Sequence, residues 1–454
     1  MAQSWTAGVK TSLPGASYTH LMWTDRRDLY LNQNLVKELY GEVTPFITFA
    51  AKLATVKTKD PDFKCFEHRG KWINMTGYVQ DACDWSGASS REVADIVLKD
   101  SGDSTNCAYI TVGDILEFRC GTAGTRADAS GTNHTCVAND ILAVAIVVDY
   151  DTTNGADLKY LTPAASTIDL ADSDPFTIIG NAYNENGRSP SAWSDELETV
   201  WNSTQIVKTP LELSGTLMDM TLKGYPREYE RLRQDKFREH KMKLNKTALF
   251  GWRIDGNTSP STTGHLTDNM GISTDSATQV RTTMGIIPLI KTYGAADKQY
   301  FQRQWASYDM NAFLADMEAF YGNNYNVGSE LFAFVGYHAM TEMSKVGPDS
   351  FLGRSGAAIQ LSDPKTTSFG FNVRQLTHPF GTWNLALDPS FSYYPYTNSM
   401  LVVDPDNVQR VVYRNAVYQT NIQDNDRDGR KDQYFTDEGI GVTMVEKHMF
   451  LQFN

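Results

Sequence analysis

GYPREYERLRQDKFREHKMKLNKTALFGW, residues 224–252, is the stretch on which the reading of the fold turns. Pro226 sits where a first helical turn would begin, and its missing N–H costs nothing there because the first amides of a helix have no partner. Tyr229, Leu232, Lys236, His240, Leu244 and Ala248 follow at helical spacing, with Phe237 and Leu249 beside that stripe, and Gly251 ends the pattern. The spacing predicts one helix over 225–250. Between 227 and 246 it carries eight Lys/Arg against four acids, inside a chain whose net charge is −13. Two readings of that basic helix stand side by side. It is a solvated face laced with i,i+4 pairs such as Glu239 to Lys243, each contributing a few tenths of a kcal/mol, or Arg227, Arg231, Arg233, Arg238 and Lys241 meet phosphates.

The texture changes on both sides of this helix. From Phe63 to about Asn202 the signal is β: FKCFEHRGKWINM alternates, YITVGDILEFRCG turns at Val112-Gly113-Asp114, and ILAVAIVV (141–148) reads as a buried strand. Asp- and Gly-rich clusters such as DTTNGAD punctuate these runs, which predicts a small β-subdomain over about 105–180. Before that, residues 1–62 read as an arm. A helix (DLYLNQNLVKELYG) is followed by a turn at Pro45, an apolar group (Phe46, Ile47, Phe49) and a polar extended stretch. After the long helix come a Gly/Ser/Thr-rich loop near 256–264 and a second helix over 309–321. LFAFVGYHAMTEMSKVG then gives a strand, a turn and a short helix, and further sheet strands run to the C-terminus.

At 454 residues with 41% hydrophobic content the chain has room for two or three domains with real cores. The acidic balance argues against a general attraction to nucleic acid or anionic membrane. The longest apolar run is far short of the ~20 residues that span a bilayer, and the N-terminus has no apolar signal region, so a soluble protein made inside a cell is expected. Cys65, Cys83, Cys107, Cys120 and Cys136 are odd in number and never form CxxC. That argues against a disulfide framework or structural zinc and fits a reducing compartment.

Local catalytic signatures do not emerge. GxGxxG, GxSxG and HExxH do not occur, and Gly70-Lys71 has Cys65 where a phosphate loop needs its first glycine. The eight histidines are scattered singly. A non-enzymatic protein without a cofactor is therefore expected. DNDRDGRKDQYFTDEG (424–439) does suggest a calcium loop, with Asp424, Asp426, Asp428 and Asp432 as the candidate ligands. Phe435 occupies the position where the closing glutamate belongs, and Arg427, Arg430 and Lys431 sit inside the would-be loop. Asp428-Gly429 is accounted for by a turn between two strands, where Gly supplies positive φ. A calcium-dependent binding or carbohydrate-active module remains the alternative function.

Several passages recur in a familiar order: TPFITFAAKL, FKCFEHR, YITVGDILEF, IIGNAYNENG to WNSTQIVKTPLELSGT, LNKTALFG, TMGIIPLI, LFAFVG, FGTWNLALDPSF and MLVVDPDNV. Together they resemble major capsid proteins of tailed bacteriophages with the Hong Kong 97-type fold, in the branch whose extended loop carries an inserted β-subdomain. The resemblance implies an α+β chain. Residues 1–62 would be the N-terminal arm, and 63–212 the extended loop with its β-subdomain. Residues 213–325 would be a peripheral domain with the spine helix 225–250, 326–399 the axial domain, and 400–454 the return to the peripheral domain.

The implied function is self-assembly into pentamers and hexamers that close an icosahedral head shell around double-stranded DNA in the virion, after assembly in the host bacterial cytoplasm. The implied partners are further copies of the chain, packaged DNA held non-specifically, and separate scaffolding, portal and cement or decoration proteins, with no membrane. A long acidic helical segment before the arm is missing from the sequence, which points to scaffolding by a separate protein. GASS, GTAGT and the 256–264 loop are candidate hinges for one chain forming both ring sizes.

Overall fold

The computed structural model describes residues 44–53, 55–69, 75–80, 82–85, 91–100, 107, 109–151, 155–185, 189–190, 192, 194, 196–219, 228–253, 265–266, 280–304, 308, 310–322, 330–346, 360–361, 365–366, 372–392 and 396–453. Among them strands outnumber helices, giving a mixed α+β protein. The chain divides into two units: Met1–Cys65 with Val200–Asn454, and Phe66–Thr199. The predicted helix near 28–41, Arg227, GASS and the 256–264 loop lie outside the described residues.

In the first unit a mixed sheet runs in the order Tyr300–Arg303, Met449–Phe453, Ser399–Val403, Glu330–Val335, Gly381–Leu387, Asn372–His378 and Gln360–Leu361, with Lys365–Thr366 also on Asn372–His378. Its central strands are almost continuously apolar because both faces are covered. Alternate side chains point to opposite faces, and the two cores divide accordingly. Phe332, Phe334, Leu401, Val403 and Phe450 pack with Phe46, Phe49, Leu249, Ile286 and Ile290. Leu331, Ala333, Val335, Met400, Val402 and Leu451 pack with Phe313, Met317 and Phe320 of the helix Met310–Gly322.

A second sheet of this unit runs Thr55–Lys57, Val408–Gln419, Arg430–Val442, Gln205–Leu213. Its backbone is the long hairpin Val408–Gln419/Arg430–Val442, in which Val408 faces Val442 and Gln419 faces Gln433. Gly429 precedes the second strand with φ +153°, and a Cβ there would stand 2.6 Å from the Leu213 carbonyl oxygen, so only glycine fits. Asn202 ties this sheet to the segment after it. Its amide nitrogen donates to the Met284 and Ile440 carbonyls at 2.9 and 2.8 Å, and its oxygen accepts from Met284 N–H at 2.9 Å.

Pro45 is not the turn expected from the sequence. It opens a helix, Pro45–Leu53, at the first position, where proline is tolerated. Phe46, Phe49 and Ala50, spaced i, i+3 and i+4, are buried. Phe46 meets Phe334 edge-on at 5.2 Å and Phe49 meets Phe332 at 4.7 Å. Nine residues are too few for periodicity to distinguish such a helix from an apolar loop. Gly285 likewise leads into a helix, Ile286–Tyr293, whose all-apolar start IIPLI carries no amphipathic period to signal it.

The unit Phe66–Thr199 holds a seven-stranded antiparallel sheet in the order Glu92–Ile96, Gly155–Tyr160, Ile141–Asp151, Asp114–Arg119, Pro175–Asn181, Thr76–Val79, Leu98–Asp100. It therefore takes strands from 76–79 and 92–100 as well as from 105–180. Trp85, Leu116, Phe118, Leu142, Leu158 and Phe176 form its own core. Gly113 turns into Asp114–Arg119 with φ +97°, as the Val112-Gly113-Asp114 turn requires. A separate ribbon pairs Gly124–Ala127 with Asn133–Cys136.

Two histidines of the first unit make its stability pH-dependent. His448 is fully buried, its Nδ1 accepting from Asp404 N–H at 3.2 Å and its Nε2 lying 3.2 Å from the Thr443 carbonyl oxygen. Burial depresses its pKa to about 4, and does the same to His378. The unfolded chain, with histidine near 6.5, takes up these protons first as the pH falls. Their contribution is complete above about pH 6.5 and is lost progressively down to about pH 4, on the order of 3 kcal/mol for each. Urea unfolding should show stability dropping across that window, and His448→Gln should remove a substantial part of the slope. An unchanged slope in the variant would rule His448 out as a contributor.

Candidate functional site

The expected basic helix exists as Glu228–Phe250 and ends at Gly251. Its buried residues are His240, Leu244, Asn245, Ala248 and Leu249, so two of the five are polar. Each is matched. His240 Nδ1 lies 3.0 Å from Thr209 Oγ1 and Nε2 lies 2.8 Å from Thr436 Oγ1, joining the helix to both neighbouring strands. Burial, with Lys243 nearby, holds its pKa below the ordinary histidine value, so at neutral pH it is an uncharged bridge.

Asn245 is the hub where three segments meet. Its side-chain nitrogen donates to Ser390 Oγ at 2.7 Å and to Asp388 Oδ2 at 3.1 Å, and its oxygen accepts from Ile47 N–H at 2.8 Å. Asp388 also accepts from the Phe46 amide. The first amides of the helix Pro45–Leu53, which have no partner within the helix, thus find a buried amide oxygen and a carboxylate. Burial raises the Asp388 pKa above the carboxylate norm, and the donors of Asn245, Ser390 and Phe46 offset part of that. Sequence reasoning missed both residues. A lone Asn on a helical stripe and an Asp-Pro dipeptide 143 residues away give no sign that they meet.

The N-terminal half of the helix lies on the hairpin, and here the acid-rich stretch takes its place. The sequence reading treats 424–439 as a connection, yet the strand begins at Arg430, so only 420–429 join the two strands. Asp424, Asp426 and Asp428 are exposed in that connection, whereas Asp432 is fully buried inside the strand. Asp432 Oδ1 accepts from Asn421 N–H at 2.8 Å. Its Oδ2 accepts from Tyr418 Oη at 2.8 Å, from Arg430 Nε at 2.9 Å and from Tyr229 Oη of the helix. Burial pushes its pKa up, but the hydrogen bonds from Tyr229, Asn421 and Tyr418 and the Arg430 charge outweigh this and hold it below the usual range. A carboxylate with both oxygens engaged in this way is a structural clamp. Among the described residues no group of three or more His, Cys, Asp or Glu is arranged to hold a metal ion. Asp437 and Glu438, further along the strand, are salt-bridged to Arg281 and Arg414 and to Arg410 respectively.

The cations named from sequence fall into two groups. Arg231 pairs with Glu228 and with Asp235 (3.1 Å), Arg238 lies 3.4 Å from Asp235, and Lys236 and Lys243 share Glu239 at 2.7 and 2.6 Å. These pairs are partly exposed, so each contributes a few tenths of a kcal/mol. Arg233 and Lys241 are exposed and meet no carboxylate among the described residues. Arg233 lies over the Tyr418 ring (4.5 Å) and Lys241 over the Phe237 ring (4.3 Å). A cavity behind the helix is lined chiefly by Ile47, Ala50, Val207, Leu244 and Ala248, with the Arg410–Glu438 pair at its edge. The geometry is that of a scaffold joint.

The family model described as SU10 major capsid protein matches residues 119–452, well over half of the chain. The chain belongs to that family. It is a phage major capsid protein, and forming the capsid shell is its function. None of the curated proteins matches it. Among solved structures it is similar to the capsid of a native GTA particle at 8% identity and TM-score 0.43, covering 96% of this chain and 99% of that one. Microbacterium phage Oxtober96 gives 8% and 0.42 over 97% and 100%, and Mycobacterium phage Bobi 9% and 0.41 over 97% and 99%.

Asp432→Ala should cost about 3 kcal/mol, because it leaves Arg430, the Asn421 amide and one of the two mutually hydrogen-bonded tyrosine hydroxyls without an acceptor. Asp426→Ala, in the exposed connection, should change stability by less than about 0.5 kcal/mol. Guanidinium unfolding of the two variants checks the order. A larger loss from Asp426 than from Asp432 would return weight to the loop as a ligand site.

Proposed function

We propose that this capsid protein assembles as pentamers and hexamers of itself into an icosahedral head shell that encloses double-stranded DNA. Beyond family membership, one observation carries this reading. The unit Phe66–Thr199 has its own core and still exposes large apolar side chains: Phe66 at 72%, Val137 at 61%, Leu197 at 59%, Ile179 at 55% and Ile141 at 53%. Burying such side chains against a neighbouring copy is favourable at about 25 cal/mol per Å² of apolar surface, and obligate interfaces bury roughly 2,000 Å² or more. In this reading that unit, within residues 63–212, is the extended loop that covers neighbouring copies, and residues 1–62 are the arm, anchored through Phe46 and Phe49. Residues 213–325 with 400–454 form the peripheral domain around the spine helix, and 326–399 the axial domain at the capsomer centre.

The protein acts without catalysis or cofactor in this reading, by surface burial between copies. Separate scaffolding, portal and cement or decoration proteins would join it in the host cytoplasm, with the virion as the final location. Of the basic helix, the exposed Arg233 and Lys241 suit phosphate contact better than Arg231 and Arg238, whose charges are met within the helix.

Two experiments test this. Val137→Glu with Ile179→Glu should leave far-UV circular dichroism intact while lowering the yield of shells seen by electron microscopy at least tenfold. Undiminished shells would remove the loop from the interface. Arg233→Gln with Lys241→Gln should reduce packaged DNA per particle more than it reduces empty shells. Equal loss of both would make those charges structural.

A further inference from the structure

Cys120 and Cys136 are 16 residues apart in sequence, and the fold closes that gap. Gly124–Ala127 and Asn133–Cys136 pair antiparallel with Gly124 opposite Cys136. Just outside the ribbon the Cys120 amide donates to the Asp140 carbonyl, and the Asn139 amide donates to the Cys120 carbonyl, both at 2.8 Å. The two backbone contacts bracket the thiols from either side. Both side chains are buried, at 1% and 2% exposure; the Cys120 thiol donates to the Thr122 carbonyl oxygen at 3.2 Å, and its proximity is one of the causes that hold the Cys136 thiol above its ordinary value. The Arg126 guanidinium, held on Asp174, faces them both. All five cysteines are free thiols in this structure.

We propose that Cys120 and Cys136 form a dithiol that closes to an intrachain disulfide when the protein meets a low-molecular-weight disulfide such as oxidised glutathione. A thiolate of the pair attacks one sulfur of that disulfide and expels one small thiolate, leaving a mixed disulfide. The second cysteine then attacks the protein-side sulfur, forms the Cys120–Cys136 bond and expels the other. The protein gives up two electrons and two protons, and the small disulfide becomes two thiols. Reducing cytosol keeps the pair open, and an oxidising exterior closes it. The timing of that change rests on the shell reading above, since a released particle leaves the cytosol; the chemistry does not.

Burial and the Cys120 thiol raise the Cys136 pKa, and Arg126 offsets part of this, so closure is slow at neutral pH and faster in mild alkali. Access comes through the ribbon, whose Gly124, Thr125, Asn133 and Thr135 are exposed. The closed bond ties off a loop of about 16 residues, which stabilises by restricting the unfolded chain.

The test treats the purified full chain with oxidised glutathione near pH ~8.5, blocks remaining thiols with N-ethylmaleimide, and maps peptides by mass spectrometry. The expected result is a Cys120–Cys136 peptide, two fewer blocked thiols per chain, two glutathiones released, and a Tm several degrees higher that dithiothreitol reverses. Cys136→Ser should abolish the shift, while Cys107→Ser, elsewhere in the same core, should keep it. Unaltered thiols after prolonged treatment, a persistent glutathione adduct on either residue, or a link between chains would overturn the proposal. These readouts use unmodified protein and do not need particles. Absent shells with the cross-link intact would count against the shell reading alone.

Discussion

The long helix has a polar underside, and much of the first unit is organised by that constraint. Removing His240, Asn245 and the Tyr229 hydroxyl from water costs several kcal/mol unless each finds a partner. The partners come from Thr209, Thr436, Asp432, Asp388 and Ser390, so the hairpin, the return strand Gln205–Leu213 and the segment after Leu387 must all lie where they do. An apolar helix could slide or rotate on such a surface at small cost. A helix held by matched donors and acceptors has one register. For a subunit whose copies must fit one another, a single register is worth more than additional buried area.

The same economy appears at the arm helix. Phe46 and Phe49 supply the burial, but Asn245 and Asp388 supply the direction, because they meet its first amides. The apolar contact holds the segment in place and the polar contact orients it. The two-faced sheet beside it takes its composition from the same logic. Glu330–Val335 reads as a solid apolar run because odd and even positions serve different cores.

Much of this was legible in the sequence. The helix Glu228–Phe250 and its end at Gly251 show in the period and the terminal glycine, and so does the turn at Gly113. The family resemblance rests on short passages in a fixed order. The helix Pro45–Leu53 was not legible, since nine residues with one proline read equally as a turn. Nor was Asp432: in the one-dimensional pattern it stands among exposed aspartates, and its burial depends on where the strand begins. That boundary is set by pairing with Gln205–Leu213 and Val408–Gln419, contacts more than two hundred residues away in one case.

The sequence by itself determined the α+β class, the position and charge of the long helix, the β excursion and the membership that its passages announce, because period, turn chemistry and local order are properties of neighbouring residues. Tertiary structure alone decided which cations of the helix are already neutralised, which aspartate is a clamp, which polar residues meet the first amides of Pro45–Leu53, and which two of five cysteines are buried at one end of the same ribbon. Those outcomes depend on burial and on distances between residues far apart in the chain, and neither is encoded in spacing along it.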